Sequence, residues 1–177
     1  MTHAMLDLET LGRKPGCAIL SIGAVAFSPK GVGVIPGTGN FYCNVDLISQ
    51  LFRGFHINNE TLEWWKQQDP RARHSLSFHT KQIWDALAEF APWCKDNNIE
   101  QVWCQGAAFD IPILEGAFEK LGMKAPWKFY NVRDTRTVYD VCGFDYKSIP
   151  REGVYHNALD DAIHQVKLVQ AALAGRK

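Results

Sequence analysis

The chain has 177 residues, 46% of them hydrophobic, with 14 Gly, 8 Pro and a formal net charge of zero from 19 basic and 19 acidic residues. That length points to a single domain over residues 1–177 with room for a proper core, and the apolar content excludes collagenous, low-complexity and disordered chains. The longest apolar run, 18–27, is too short to cross a bilayer, no secretory signal pattern opens the chain, and five cysteines without C-x-x-C spacing suggest neither a disulfide framework nor a zinc ribbon, so a cytoplasmic protein with reduced thiols and no membrane association is expected.

In chain order, segments 4–8 and 18–27 are apolar and β-prone, and the loop between them carries Gly12, Pro15 and Gly16. They predict a strand pair. A Gly/Pro-rich connection over 29–39 leads to a third strand at 41–45, completing an antiparallel meander. Apolar residues then recur at helical spacing over 59–68 and 80–97, with Asn59 and Thr80 placed as caps. Segment 101–105 reads as a buried strand, 111–121 as a helix ended by Gly122, and 129–132 as a short strand. A helix over 133–142, an irregular stretch over 143–155 and a periodic helix over 157–174 complete the chain. The expected architecture is α/β, with a mixed five-stranded sheet and helices on both faces.

Asp7 and Glu9 lie two apart on the first strand and therefore share one face, while Leu6 and Leu8 share the other. Two ionised carboxylates on one face of a central strand need a compensating cation; the plain alternative is that Glu9 only begins the next loop. Asp110 follows the second buried strand and, taken alone, reads as the N-cap of the helix at 111–121. Ligands also gather at strand ends in α/β sheets, which would bring Asp110 to the Asp7/Glu9 pair. In the last helix, Asp160 falls in line with His164 and Lys167 on a polar, solvated stripe. Asp161 borders the apolar stripe of Ala158, Ala162, Val166, Val169 and Leu173 and is expected to face inward, where it needs a partner. His156 precedes that helix, with a side chain suited to proton transfer near neutral pH.

Together, Leu6-Asp7-Leu8-Glu9-Thr10, Gly106-Ala107-Ala108-Phe109-Asp110, and His156 five residues before Asp161 resemble the DEDDh family of DnaQ-like 3′→5′ exonucleases. Leu11-Gly12, segment 19–25 and Thr61-Leu62-Glu63-Trp64-Trp65 are similar to a small stand-alone branch known from phages and bacteria. Gln105-Gly106 departs from the His-Asn of many relatives. The resemblance implies a ribonuclease-H-like fold and two Mg²⁺ or Mn²⁺ ions held by Asp7, Glu9, Asp110 and Asp161, a set of hard oxygen ligands. It also implies that His156 is the general base of a hydrolysis releasing nucleoside 5′-monophosphates from single-stranded DNA or RNA 3′ ends, that Thr10 and Leu11 touch the terminal sugar and base, and that a homodimer is possible.

A neutral chain first argues against a nucleic-acid partner. Taking those four carboxylates from the 19 acidic residues leaves 15 against 19 basic, and between Lys120 and Arg151 seven basic residues face three acidic ones. A phosphate-facing patch follows, with Arg133 and Arg136 as its candidates, although Arg136 is also spaced to pair with Asp140. Trp64 and Trp65 offer a stacking surface, but adjacent helical positions point about 100° apart, so one of them belongs to the core. The competing readings are a ribonuclease-H-like endonuclease and a non-catalytic nucleic-acid-binding module. No histidine pair has the spacing of a zinc hydrolase.

Overall fold

In the computed structural model, which describes residues 2–175, β1 (Thr2–Thr10) lies at the centre of the sheet. It pairs antiparallel with β2 (Ile19–Phe27), which pairs antiparallel with β3 (Phe41–Val45). On its other side β1 runs parallel to β5 (Ile99–Cys104), and β5 runs parallel to β6 (Val132–Asp134). The expected meander and the parallel extension are both present. The sheet has six strands and not five: β4 (Thr80–Lys81) adds to the edge beside β3, in the order β4-β3-β2-β1-β5-β6. Two exposed residues carry no hydrophobic alternation, so the pattern reading placed Thr80 as a helix cap.

The helices are α1 (Leu47–Leu51), α2 (Asn59–Lys66), α3 (Pro70–Ser75), α4 (Ile83–Asp96), α5 (Ala107–Lys120), α6 (Thr135–Cys142) and α7 (Ala158–Ala174). The short α1 and α3 escaped the pattern reading because five or six residues cover less than two turns. Asn58, not Asn59, caps α2, accepting the Thr61 N–H at 2.9 Å. Segment 129–131 is a 3₁₀ turn that delivers the chain into β6.

Strand alternation sorts the core into two layers. Leu6, Leu8 and Ile22 meet Leu87 and Phe90 of α4 and Leu114 and Phe118 of α5. Met5, Val25 and Phe27 meet Tyr139 of α6 and Ala162, Val166 and Val169 of α7. Asp7 and Glu9 have the parity of Met5, so they lie on the face that α7 covers. Among the described residues no helix is long and apolar enough to cross a membrane.

Candidate active site

The site begins at Gly23. In the β1/β2 register this residue sits opposite Asp7, and a Cβ placed on it would lie 2.3 to 2.4 Å from the backbone of Ala158 and Leu159. The start of α7 is therefore pressed directly onto the sheet beside Asp7. Asn157 sets this start by accepting the Leu159 and Asp160 N–H groups, each at 3.2 Å, while its amide nitrogen donates to Tyr42 Oη at 3.3 Å. Asp161 in the first turn is thereby turned inward and buried, as the apolar stripe predicts.

Asp110 arrives from the other side. Gly106, at φ +103°, turns the chain from β5 into α5, and the helix starts four residues earlier than the sequence pattern indicates. The missing cap is supplied from β6: Asp134 accepts the Ala107 N–H at 2.6 Å and the Thr137 N–H at 3.1 Å, joining the starts of α5 and α6. Asp110 is thus not the cap. It is buried inside the first turns, where its Oδ1 accepts the Leu8 N–H of β1 at 3.0 Å.

Asp7, Glu9, Asp110, Asp161 and His156 line one cavity of about 660 Å³. Carboxylate oxygens of Glu9 and Asp161 and a ring nitrogen of His156 lie within 4.8 Å of one another, and His156 Nδ1 is 3.8 Å from Glu9 Oε1. His156 holds this place from a left-handed backbone at φ +61°, a conformation uncommon for residues with a Cβ but one that histidine adopts more readily than most.

Burial is the main force on these groups. It pushes the Asp7 carboxyl up to about 7, opposed by a hydrogen bond from Gln165 and by the positive charge of Arg151. Glu9 is pushed up to about 9 by burial and then by the like charges of Asp7 and Asp110. Asp110 is raised by burial and by Asp7, with the Leu8 N–H opposing. The His156 imidazole is lowered by burial and by Arg151, which favours its neutral form. Glu9 and Asp110 feel the like charge of Asp7 and line one cavity with it and Asp161, and these four hard oxygen donors fit divalent cations such as Mg²⁺ or Mn²⁺.

The remaining expectations divide. Thr10, Trp64, Trp65 and Arg136 line the cavity. Trp65 is the core member of its pair, 5% exposed, and donates its indole N–H to the Thr10 carbonyl at 2.9 Å. Trp64 is 41% exposed and stands edge-on to His156 at 4.8 Å between ring centroids. Leu11 does not reach the cavity: it is buried in the core, its N–H bound to Ala18 and its carbonyl to Asn58. Arg133 is likewise turned away, donating to the Tyr130 and Val132 carbonyls. Asp160 is not on a solvated stripe, since it accepts the Val154 N–H at 2.7 Å and His164 beside it is buried.

Sequence reasoning missed three residues here. Arg151 is ion-paired with Asp161 and lies over the Tyr155 ring at 3.9 Å. Gln165 bonds Asp7, and Asp134 caps α5. For Gln165 a signal was available, because it stands one helical turn beyond Asp161 on the same face.

The model of the 3′-5′ exoribonuclease Rv2179c-like domain matches residues 2–173. The exodeoxyribonuclease of Enterobacteria phage T4 is 30% identical, the match covering 77% of this chain and 70% of that protein. Among solved structures, cell-death related nuclease 4 superposes with a TM-score of 0.69 at 15% identity, covering 98% of this chain; the chain spans 64% of that nuclease's length. The nuclease domain of 3′hExo, a DEDDh family member, gives 0.59 at 13% identity, with 98% and 92% covered. At such identities these structures establish the ribonuclease-H-like fold, while the family match runs through all five acidic and histidine positions. The chain belongs to the Rv2179c-like 3′-5′ exoribonuclease domain family and is a 3′→5′ exonuclease of the DEDDh type.

Proposed function

We propose that this exonuclease, acting as one domain over residues 1–177, removes nucleoside 5′-monophosphates stepwise from single-stranded 3′ ends, with Asp7, Glu9, Asp110 and Asp161 holding two Mg²⁺ or Mn²⁺ ions and His156 as general base. The observation that carries this reading is the convergence of four carboxyl groups, those of Glu9, Asp110 and Asp161 buried and that of Asp7 partly so, and one imidazole, drawn from β1, α5, α7 and the loop before α7, on a single cavity. When bound, the ions would neutralise the carboxylates and stabilise the attacking and leaving oxygens of an in-line displacement at phosphorus.

The chain's own residues do the rest. His156 is half-buried and neutral, with Glu9 on one side and the Trp64 edge on the other, so it is oriented to take a proton from an attacking water. Trp64 offers the open aromatic surface on which a terminal base stacks. Trp65 holds the Thr10 backbone at the end of β1, leaving Thr10 on the cavity wall. Arg136, whose guanidinium lies beside Gly106 at the mouth of α5, is placed for a backbone phosphate. A cavity of this size takes a terminal nucleotide, not a continuous duplex, which favours exonuclease over endonuclease action.

The family description names RNA and the phage relative's name DNA, so the assay pairs matched strands of both. Single strands labelled at the 5′ end should shorten one nucleotide at a time with Mg²⁺ or Mn²⁺ and stay intact in excess chelator. Internal cuts would make the protein an endonuclease, and full activity in chelator would remove the two-metal mechanism.

A further inference from the structure

Gln165 is a polar side chain in a place where polarity is costly. It sits on α7 one turn after Asp161, is 5% exposed and lines the cavity. Its amide nitrogen donates to Asp7 Oδ1 at 2.7 Å. As a metal ligand Asp7 is ionised and only accepts, so in that state the amide nitrogen is the end that faces it. The other end, Oε1, is buried and finds no donor among the described side chains and backbone. A buried acceptor left unmatched carries a desolvation cost. An apolar residue filling the same space would avoid that cost, so the amide needs a function.

We propose that Gln165 is a positioning residue of the metal centre: its N–H orients the Asp7 carboxylate as a ligand, and its Oε1 accepts a hydrogen bond from a water or substrate hydroxyl brought to that centre. The inference rests on the metal reading above. Groups that hold a ligating carboxylate commonly change metal affinity 10- to 100-fold when they are removed. Helix geometry makes the arrangement economical. Residues four apart share a face, so one helix supplies both a ligand, Asp161, and the holder of a ligand on β1. The bond also ties the first strand to the last helix across 158 residues of sequence.

Two variants test this. Gln165→Met keeps an unbranched side chain of similar reach with no hydrogen-bonding amide. Gln165→Asn keeps the amide but is one methylene too short to hold Asp7. Mn²⁺ binding, followed by titration calorimetry on the full chain without substrate, should weaken about 10- to 100-fold in both. Thermal melting in chelator should stay close to wild type, since a purely structural role would lower the melting point and leave affinity unchanged. In a cycle with Asp7→Ala, which removes the acceptor, the losses should not add, because both changes break the same contact. Unchanged Mn²⁺ affinity in both variants, with wild type binding normally, would overturn the role of Gln165 and leave the metal reading standing. Wild type binding no Mn²⁺ at all would overturn both.

Discussion

Asp160 and Asp161 are chemically identical neighbours that the fold uses differently. Asp161 faces the cavity beside Glu9 and His156, whereas Asp160 faces the preceding loop, where it accepts the Val154 N–H and packs against Gly153. Asp161→Asn should lower kcat a few hundredfold, corresponding to about 3 to 4 kcal/mol of transition-state stabilisation. Asp160→Asn retains an acceptor for Val154 and should stay within a few-fold of wild type. Asp160→Ala removes that acceptor and loosens the loop that carries Arg151 and His156, so about 1 kcal/mol of stability and several-fold in kcat should be lost. Steady-state kinetics with thermal melts on the three variants make the comparison; equal activity in all three would show that the inward turn of Asp161 is irrelevant.

At the scale of elements, the seating of α7 on β2 decides whether the ligands meet. Gly23 permits the close approach, and Gly23→Ala should push the start of α7 away from Asp7 at a cost of about 1 to 3 kcal/mol. A melting point lowered together with weaker Mn²⁺ binding would be the signature, while unaltered values for both would show that the helix is seated by other contacts. The same elements explain what the sequence disclosed. The face shared by Asp7 and Glu9 follows from strand alternation, and the inward turn of Asp161 follows from an apolar stripe that continues for four turns; both are periodic signals. Asp134, Arg151 and Gln165 act through partners brought in by the tertiary fold; nothing local marks Asp134 or Arg151, and only the shared helix face with Asp161 marks Gln165. The start of α5 was displaced for that reason: its cap is a carboxylate 27 residues further along the chain, on a strand of only three residues. The resemblance points Leu11 to the substrate and the basic excess points Arg133 there, yet core packing takes the first and nearby carbonyls the second.

For the molecule as a whole, the buried acids link stability to pH. Glu9, whose carboxyl is pushed up to about 9, keeps its proton in the folded protein at pH values where the unfolded chain, near 4.5, has lost it. The folded state then binds more protons, so stability falls as pH rises toward the folded value, by up to ~1.4 kcal/mol per pH unit. Between about pH 7.5 and 8.5 the lowered histidines are almost wholly neutral in both states and do not mask this slope. In chelator the melting temperature should fall across that window, and added Mg²⁺ or Mn²⁺ should flatten the fall by binding the ionised acids. A melting temperature that rises with pH in chelator would contradict the burial of these acids. The tie between Asp7 and Gln165 has one more consequence. Its partners leave the ribosome 158 residues apart, so during synthesis the first strand waits, its acids without a helix, until α7 has emerged. The acidic site is therefore completed only once α7 has been made, long after the strand that carries its first two acids.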